Sequence, residues 1–179
     1  MCMDAALHDV FRASGLLRDL AATLTRLGGT EVLVAVAVVS VYLLRRAGLG
    51  WWAAGTPIAS LWTCALLTSF LKDLTDRARP EAGMDLSSAA FPSGHASNTT
   101  ALAVALALVV PQVIPAMSRR TALSAAAVVS LTIGWTRLAL GVHWTTDVLA
   151  GWVLGTAVAV AVHRAVRDRG TTTAPNPGD

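Results

Sequence analysis

Charge is scarce in this chain. Asp, Glu, Lys and Arg make up 14% of its 179 residues, against about 25% in soluble globular domains. So few charges cannot cover a water-facing surface, which argues for lipid as the solvent. Lysine is reduced to a single residue, Lys72, among 14 basic side chains. A net charge of +3 and a pI near 9.5 still do not describe a nucleic-acid binder. The basic residues form no stripe and alternate with long apolar runs. Cysteine is limited to Cys2 and to Cys64 inside an apolar run, which argues against a disulfide framework or a zinc site. The opening stretch lacks an apolar core: Met1 to Leu27 carries Asp4, Asp9, Arg12, Arg18 and Asp19. No cleavable signal peptide is expected from it, so membrane insertion falls to internal spans.

What the chain has in abundance is apolar sequence, 54% of residues with a mean hydropathy of +0.58. Its length suits one domain. Five segments approach the ~20 residues that a membrane-crossing helix needs: Glu31 to Leu44, Trp51 to Leu71, Ala96 to Ile114, Thr121 to Leu140 and Thr146 to His163. Ahead of them Leu7, Val10, Phe11, Leu17, Leu20, Leu24 and Leu27 recur at helical spacing. His8, Arg12, Asp19, Thr23 and Arg26 fall opposite. This pattern predicts an amphipathic helix on the membrane surface, the alternative being a loosely ordered leader. The expected fold class is all-α: a polytopic membrane helical bundle of about five transmembrane helices plus this N-terminal surface helix, in one domain over residues 1–169. Residues 170–179, rich in Thr, Pro and Gly, are expected to be a disordered tail.

Arginines set the orientation. Arg45 and Arg46 follow the first span, Arg119 and Arg120 precede the fourth, and Arg164, Arg167 and Arg169 follow the fifth. Alternation puts all three clusters on one side, which the positive-inside tendency assigns to the cytoplasm. Lys72, Arg77, Arg79 and Arg137 then lie on the outer side against that tendency, and such exceptions invite a functional explanation.

Three groups of residues gather at the outer ends of different spans. The first runs from Lys72 to Arg79-Pro80, the second is Pro92-Ser93-Gly94-His95, and the third is Thr136-Arg137 with His143 and Asp147. Singly, each has a structural explanation: snorkelling cations, a helix N-cap, a surface hydrogen bond at i and i+4. Together they supply what phosphoryl transfer without metal requires. Lys72, Arg79 and Arg137 offer point-charge and bidentate donors for phosphate. Ser93 and Gly94 open a helix whose free N–H groups favour an anion. Asp147 is spaced to accept a proton from His143 Nδ1, leaving Nε2 as a nucleophile, and His95 is placed to protonate a leaving oxygen. A divalent metal on the two histidines and the aspartate is disfavoured by three neighbouring cations.

Lys-x6-Arg-Pro, Pro-Ser-Gly-His and Arg-x5-His-x3-Asp, in that order, resemble the motifs of the type 2 phosphatidic acid phosphatase and haloperoxidase superfamily. The resemblance covers Lys72 to Asp147 by motif and the flanking spans by layout. It implies phosphate binding by Lys72, Arg79, Ser93, Gly94 and Arg137, a nucleophile at His143 supported by Asp147, and a general acid at His95. It implies no metal and no cofactor. The third motif of that family usually begins Ser-Arg; Thr136 keeps the hydroxyl. Its membrane members commonly have six spans, against five here. The function implied is hydrolysis of a lipid phosphate or diphosphate at the outer membrane face: a polyprenyl phosphate or diphosphate, phosphatidic acid, or phosphatidylglycerophosphate. Two alternatives stand beside it, a vanadium-dependent haloperoxidase and a non-catalytic lipid-binding or transport protein. The expected partners are the lipid phosphate and membrane lipids, with no nucleic acid, and the sequence does not speak to oligomeric state.

Other polar and aromatic residues receive structural assignments. His163 is expected at the membrane interface, Trp51, Trp52 and Trp144 in interfacial belts, and Gly151 and Gly155 in close helix packing. Arg77 lies off the motif positions and is expected to pair with Asp73 or Asp76. His8 is expected on the polar face of the surface helix.

Overall fold

The computed structural model describes residues 2–80 and 88–172. Its regular elements are all helical: α1 (Cys2–Phe11), α2 (Gly15–Leu24), α3 (Thr30–Arg46), the short α4 (Trp51–Ala54), α5 (Thr56–Thr75), α6 (Gly94–Val109), α7 (Arg119–Ala139) and α8 (Thr145–Thr172), with 3-10 turns at Thr25–Gly28 and Val110–Gln112. Three segments are long and apolar enough to cross a membrane, Gly94–Gln112, Arg119–Ala139 and Thr145–Arg169. A fourth crossing arises if Gly15–Gly28 and Thr30–Arg46, bent by 46° at their junction, count as one span. Helix α5 has the length, 20 residues, but Lys72, Asp73 and several hydroxyls lower its apolarity.

Helix α6 is the axis of the bundle, packed on α5, α7 and α8. It is apolar around its circumference, with Ala96, Ala101, Leu102, Ala105, Leu108 and Val109 buried, as a central helix must be. Its approach to α8 is close because α8 presents glycine there. A Cβ at Gly155 would lie 2.3 Å from Ser97 O, and one at Gly151 would lie 3.0 Å from Ser93 O. The Gly-x3-Gly spacing therefore serves packing inside the bundle. Large apolar side chains such as Val39, Leu66, Phe70, Val128, Leu131 and Val153 face outward. In water this coat would aggregate; in a bilayer it is the contact surface.

The N-terminal stretch differs from the single surface helix expected. It breaks at Ser14-Gly15, where Gly15 has φ +54°, a conformation glycine enters at little cost. Helix α2 then packs on α7, burying Ala21 against Ala139, Leu140 and Val142. Leu16, Leu17 and Leu20 stay exposed, so its apolar stripe faces away from the bundle. At the other end, α8 continues to Thr172 through the first residues of the expected tail. Residues 173–179 of that tail lie outside the described residues.

Trp51 and Trp52 gather at one end with the arginines. Arg45 stacks on Trp51 at 4.2 Å and Arg169 lies 5.5 Å from Trp52. Trp52, Arg119, His163 and Arg167 line a common cavity there. The three sequence motifs occupy the opposite end.

Candidate active site

Helix geometry explains why the third motif has its spacing. Helix α7 ends in a Schellman turn: Gly141, at φ +72°, donates its N–H to Leu138 O at 2.9 Å, and Val142 N–H donates to Arg137 O at 3.2 Å. Arg137 thus sits in the last turn of α7 and His143 follows two residues after the reversal. Helix α8 then starts, and Asp147 in its first turn accepts the Trp144 N–H on Oδ2 at 2.9 Å, the N3-to-N-cap half of a capping box. That bond holds the carboxylate beneath His143.

His143 and Asp147 are both buried, with Nδ1 3.5 Å from Asp147 Oδ2. At that distance Nδ1 faces the carboxylate without a hydrogen bond to it, while the carboxylate accepts from Trp144 N–H and, on Oδ1, from Arg77 Nη1 at 2.6 Å. On the other side of the ring, Arg79 Nη1 lies 3.1 Å from His143 Nε2. A guanidinium only donates. Nε2 is therefore the bare nitrogen, and the ring proton sits on Nδ1 toward Asp147. Burial pushes the His143 pKa down to about 4, opposed by Asp147 and aided by Arg137 and Arg79. The imidazole is neutral at physiological pH.

The cations converge on this histidine. Arg79 is braced by Val142 O at 2.9 Å and by Ser88 O and Oγ at 3.1 and 3.2 Å. Burial lowers its pKa and Asp147 opposes the shift. Lys72 bonds the Ala89 carbonyl. Arg137, largely buried, bonds Thr25 Oγ1 at 2.8 Å. Lys72, Arg79, Arg137 and His143 all lie within electrostatic reach of His95. The second motif joins the third through its backbone, Ser93 N–H donating to Asp147 O at 3.0 Å. Ser93 Oγ and Arg137 Nε are buried without a hydrogen-bond partner among the described residues. Such groups are costly to leave unpaired, and both are donors of the kind an oxyanion accepts from. All eight residues singled out in the sequence thus meet at one end of the bundle.

Three neighbours make contacts beyond those expected. Arg77 pairs with Asp4 at 2.7 Å and with Asp147 at 2.6 Å, rather than with Asp73 or Asp76. The cause is Asp76, which closes α5 in the left-handed region (φ 39°, ψ 41°) and turns the chain toward the site. Asp4, noted in the sequence only as a charge in the opening stretch, is buried and also accepts from Thr146 N–H and Oγ1 at 3.2 and 2.8 Å. Burial raises its pKa, but the bonds from Arg77 and Thr146 outweigh that, so the carboxyl ends below its usual value. Trp144, expected in an interfacial belt, also makes tertiary contacts beside the site. Its Nε1 donates to Ala78 O at 2.9 Å, with the His8 ring tilted against it at 5.7 Å and the Arg77 guanidinium 5.7 Å from its ring.

An all-helical bundle with an apolar coat and a polar cluster at one end is the architecture of an integral-membrane protein with a site at one end. The chain belongs to the PAP2 superfamily, whose sequence profile matches residues 50–171. It is 29% identical over 146 residues to phosphatidylglycerophosphatase B of Bacillus subtilis, covering 78% of this chain and 70% of that protein. It is 30% identical over 133 residues to decaprenylphosphoryl-5-phosphoribose phosphatase of Mycobacterium tuberculosis, covering 71% and 67%. Among solved structures, a transmembrane PAP2-type phosphatidylglycerolphosphate phosphatase from Bacillus subtilis superposes with a TM-score of 0.83 at 24% identity, over 97% of this chain and 87% of that one. LpxE of Aquifex aeolicus gives 0.67 at 18% identity, over 89% and 93%. At these identities the structural likeness speaks to the fold.

Proposed function

We propose that this enzyme hydrolyses a lipid phosphate or diphosphate at the extracytoplasmic face of the membrane, without metal, through a phosphohistidine at His143. The observation that carries the reading is the pair of contacts on His143: Arg79 at Nε2 and Asp147 behind Nδ1. Together they favour the tautomer a nucleophile needs. In the first step Nε2 attacks phosphorus, the N–P bond forms, and the P–O bond to the lipid breaks as His95 gives the leaving oxygen a proton. In the second, water attacks phosphorus, His95 takes its proton, and phosphate leaves with His143 restored. Lys72, Arg79, Arg137, Ser93 and Gly94 carry the charge on the phosphoryl oxygens.

A lipid rather than a soluble phosphate fits a groove of about 400 Å³ between α3, α6 and α7. Leu27, Leu33, Leu102, Leu106, Val128 and Ile133 are among the residues that line it. The groove runs toward the site: Thr99 lines it, and a Cβ at neighbouring Gly28 would lie 3.1 Å from Thr99 Oγ1 and 3.2 Å from the His95 ring. An acyl or prenyl tail in the groove would hold its phosphate beside His95. Among the candidates, the names of the relatives favour phosphatidylglycerophosphate and a decaprenylphosphoryl-linked phosphate.

The experiment is phosphate release from purified lipid phosphates in excess chelator, followed by an acid-free quench and peptide mapping. Acid-labile, base-stable label on His143, absent in His143→Ala, is the expected result. Label on Ser93, or activity lost in chelator and restored by magnesium, would refute the mechanism.

A further inference from the structure

We propose that Arg77 is a positioning residue for the catalytic carboxylate, and that Asp4 of α1 holds it in place. The inference deepens the phosphohistidine reading and rests on it. Arg77 grips Asp147 through the oxygen that His143 does not use. Its Nη1 donates to Asp147 Oδ1 at 2.6 Å and to Thr146 Oγ1 at 2.7 Å. Oδ2 is left to Trp144 N–H and to the imidazole. With one oxygen clamped, the carboxylate plane cannot rotate, and the direction from which it meets Nδ1 is set.

Charge demands the same partner. Asp147 is fully buried, and a buried carboxylate without a paired cation is expensive. Among the described residues Arg77 is the arginine or lysine within ion-pairing distance of it. The groups facing Asp147 divide accordingly. Lys72 and Arg79 act on it at longer range and serve the phosphate side of His143, whereas Arg77 serves the rear.

The other end of the guanidinium is equally committed. Nη2 donates to Asp4 Oδ2 at 2.7 Å. Asp4 accepts from the Thr146 N–H and hydroxyl, so it bridges Arg77 to the first turn of α8. Helix α1 thereby becomes part of the catalytic assembly through one buried acid, 73 residues from its arginine.

The test uses the full-length protein in detergent micelles, with the lipid phosphate it hydrolyses fastest and vanadate as the probe of the phosphate cradle. Arg77→Ala should lower kcat by about 10- to 100-fold, the scale for removing a partner that orients a functional ligand. KM and vanadate inhibition should stay within about twofold, because the contact lies behind the nucleophile. Arg77→Lys should regain part of kcat. Asp4→Asn should also lower kcat, and should add little in the Arg77→Ala background, as expected for two residues in one network. Should Arg77→Ala fail to fold, Arg77→Lys and Asp4→Asn carry the same comparison. Vanadate affinity falling in step with kcat would make Arg77 a phosphate ligand and overturn the inference, as would unchanged kcat in these variants. Strictly additive effects would remove Asp4 from it. A wild-type protein that neither releases phosphate nor responds to vanadate would instead break the underlying functional reading.

Discussion

Ser93 and Asp147 are tied backbone to backbone, the Ser93 N–H donating to the Asp147 carbonyl at 3.0 Å. One residue is the N-cap of α6 and the other sits in the first turn of α8, so the register between these helices fixes the Ser93-Gly94 turn against the carboxylate beside His143. That register depends on Gly155, which meets the α6 backbone directly. Gly155→Ala puts a methyl 2.3 Å from a carbonyl oxygen that has no flexible end to yield. The cost should be about 1–3 kcal/mol, the usual price of overpacking. A lowered unfolding midpoint in detergent, with reduced turnover, is the expected observation.

The three cations should be separable from folding. Lys72→Ala, Arg79→Ala and Arg137→Ala should each cut turnover by about 10² or more, the scale for losing one preorganised donor. Vanadate inhibition should weaken in parallel. Each variant should insert and purify as the wild type does, which quantitative membrane extraction and gel filtration will check.

His143 carries a pH signature with a definite sign. The unfolded chain takes up this proton near about 6.5, whereas the folded protein resists it until about 4. Between those values the unfolded state binds more protons, so stability rises with pH and is lost as pH falls through the window. Unfolding midpoints measured across it should slope less in His143→Gln than in the wild type. Imidazole ¹⁵N shifts should report a neutral His143 midway through the same window.

Orientation is tested by labelling. In a background free of Cys2 and Cys64, a cysteine at Ser87 should react with an impermeant reagent in intact cells. A cysteine at Thr172 should not. The reverse pattern would place the site on the cytoplasmic side.

That the motif residues would gather at one end was legible because phosphate chemistry restricts residue type and helix ends restrict spacing. Arg137, Gly141, His143 and Asp147 follow from one Schellman turn and one capping box, both local in sequence. Arg77 was misassigned because its partners are not local. Asp73 and Asp76 stand beside it in the chain, yet left-handed Asp76 turns it toward Asp4 and Asp147. Asp4 carried no motif, and only docking of α1 gives it a function. The break in the N-terminal helix did have a signal, the Ser14-Gly15 pair, which the amphipathic spacing on either side obscured. Trp144 carried a belt-like signature as a tryptophan near a helix end, and its bond to Ala78 is a tertiary fact.

Helix α8 carries Asp147 in its first turn and Arg169 in its last. At 1.5 Å per residue these are about 33 Å apart, close to the ~30 Å hydrocarbon thickness of a bilayer. Arginines anchored at one boundary would put the carboxylate at the level of the opposite headgroups. On the proposed reading a lipid would then not have to be lifted from its leaflet to react: its phosphate would already travel at the height of the site, and the dephosphorylated lipid would be left where it was.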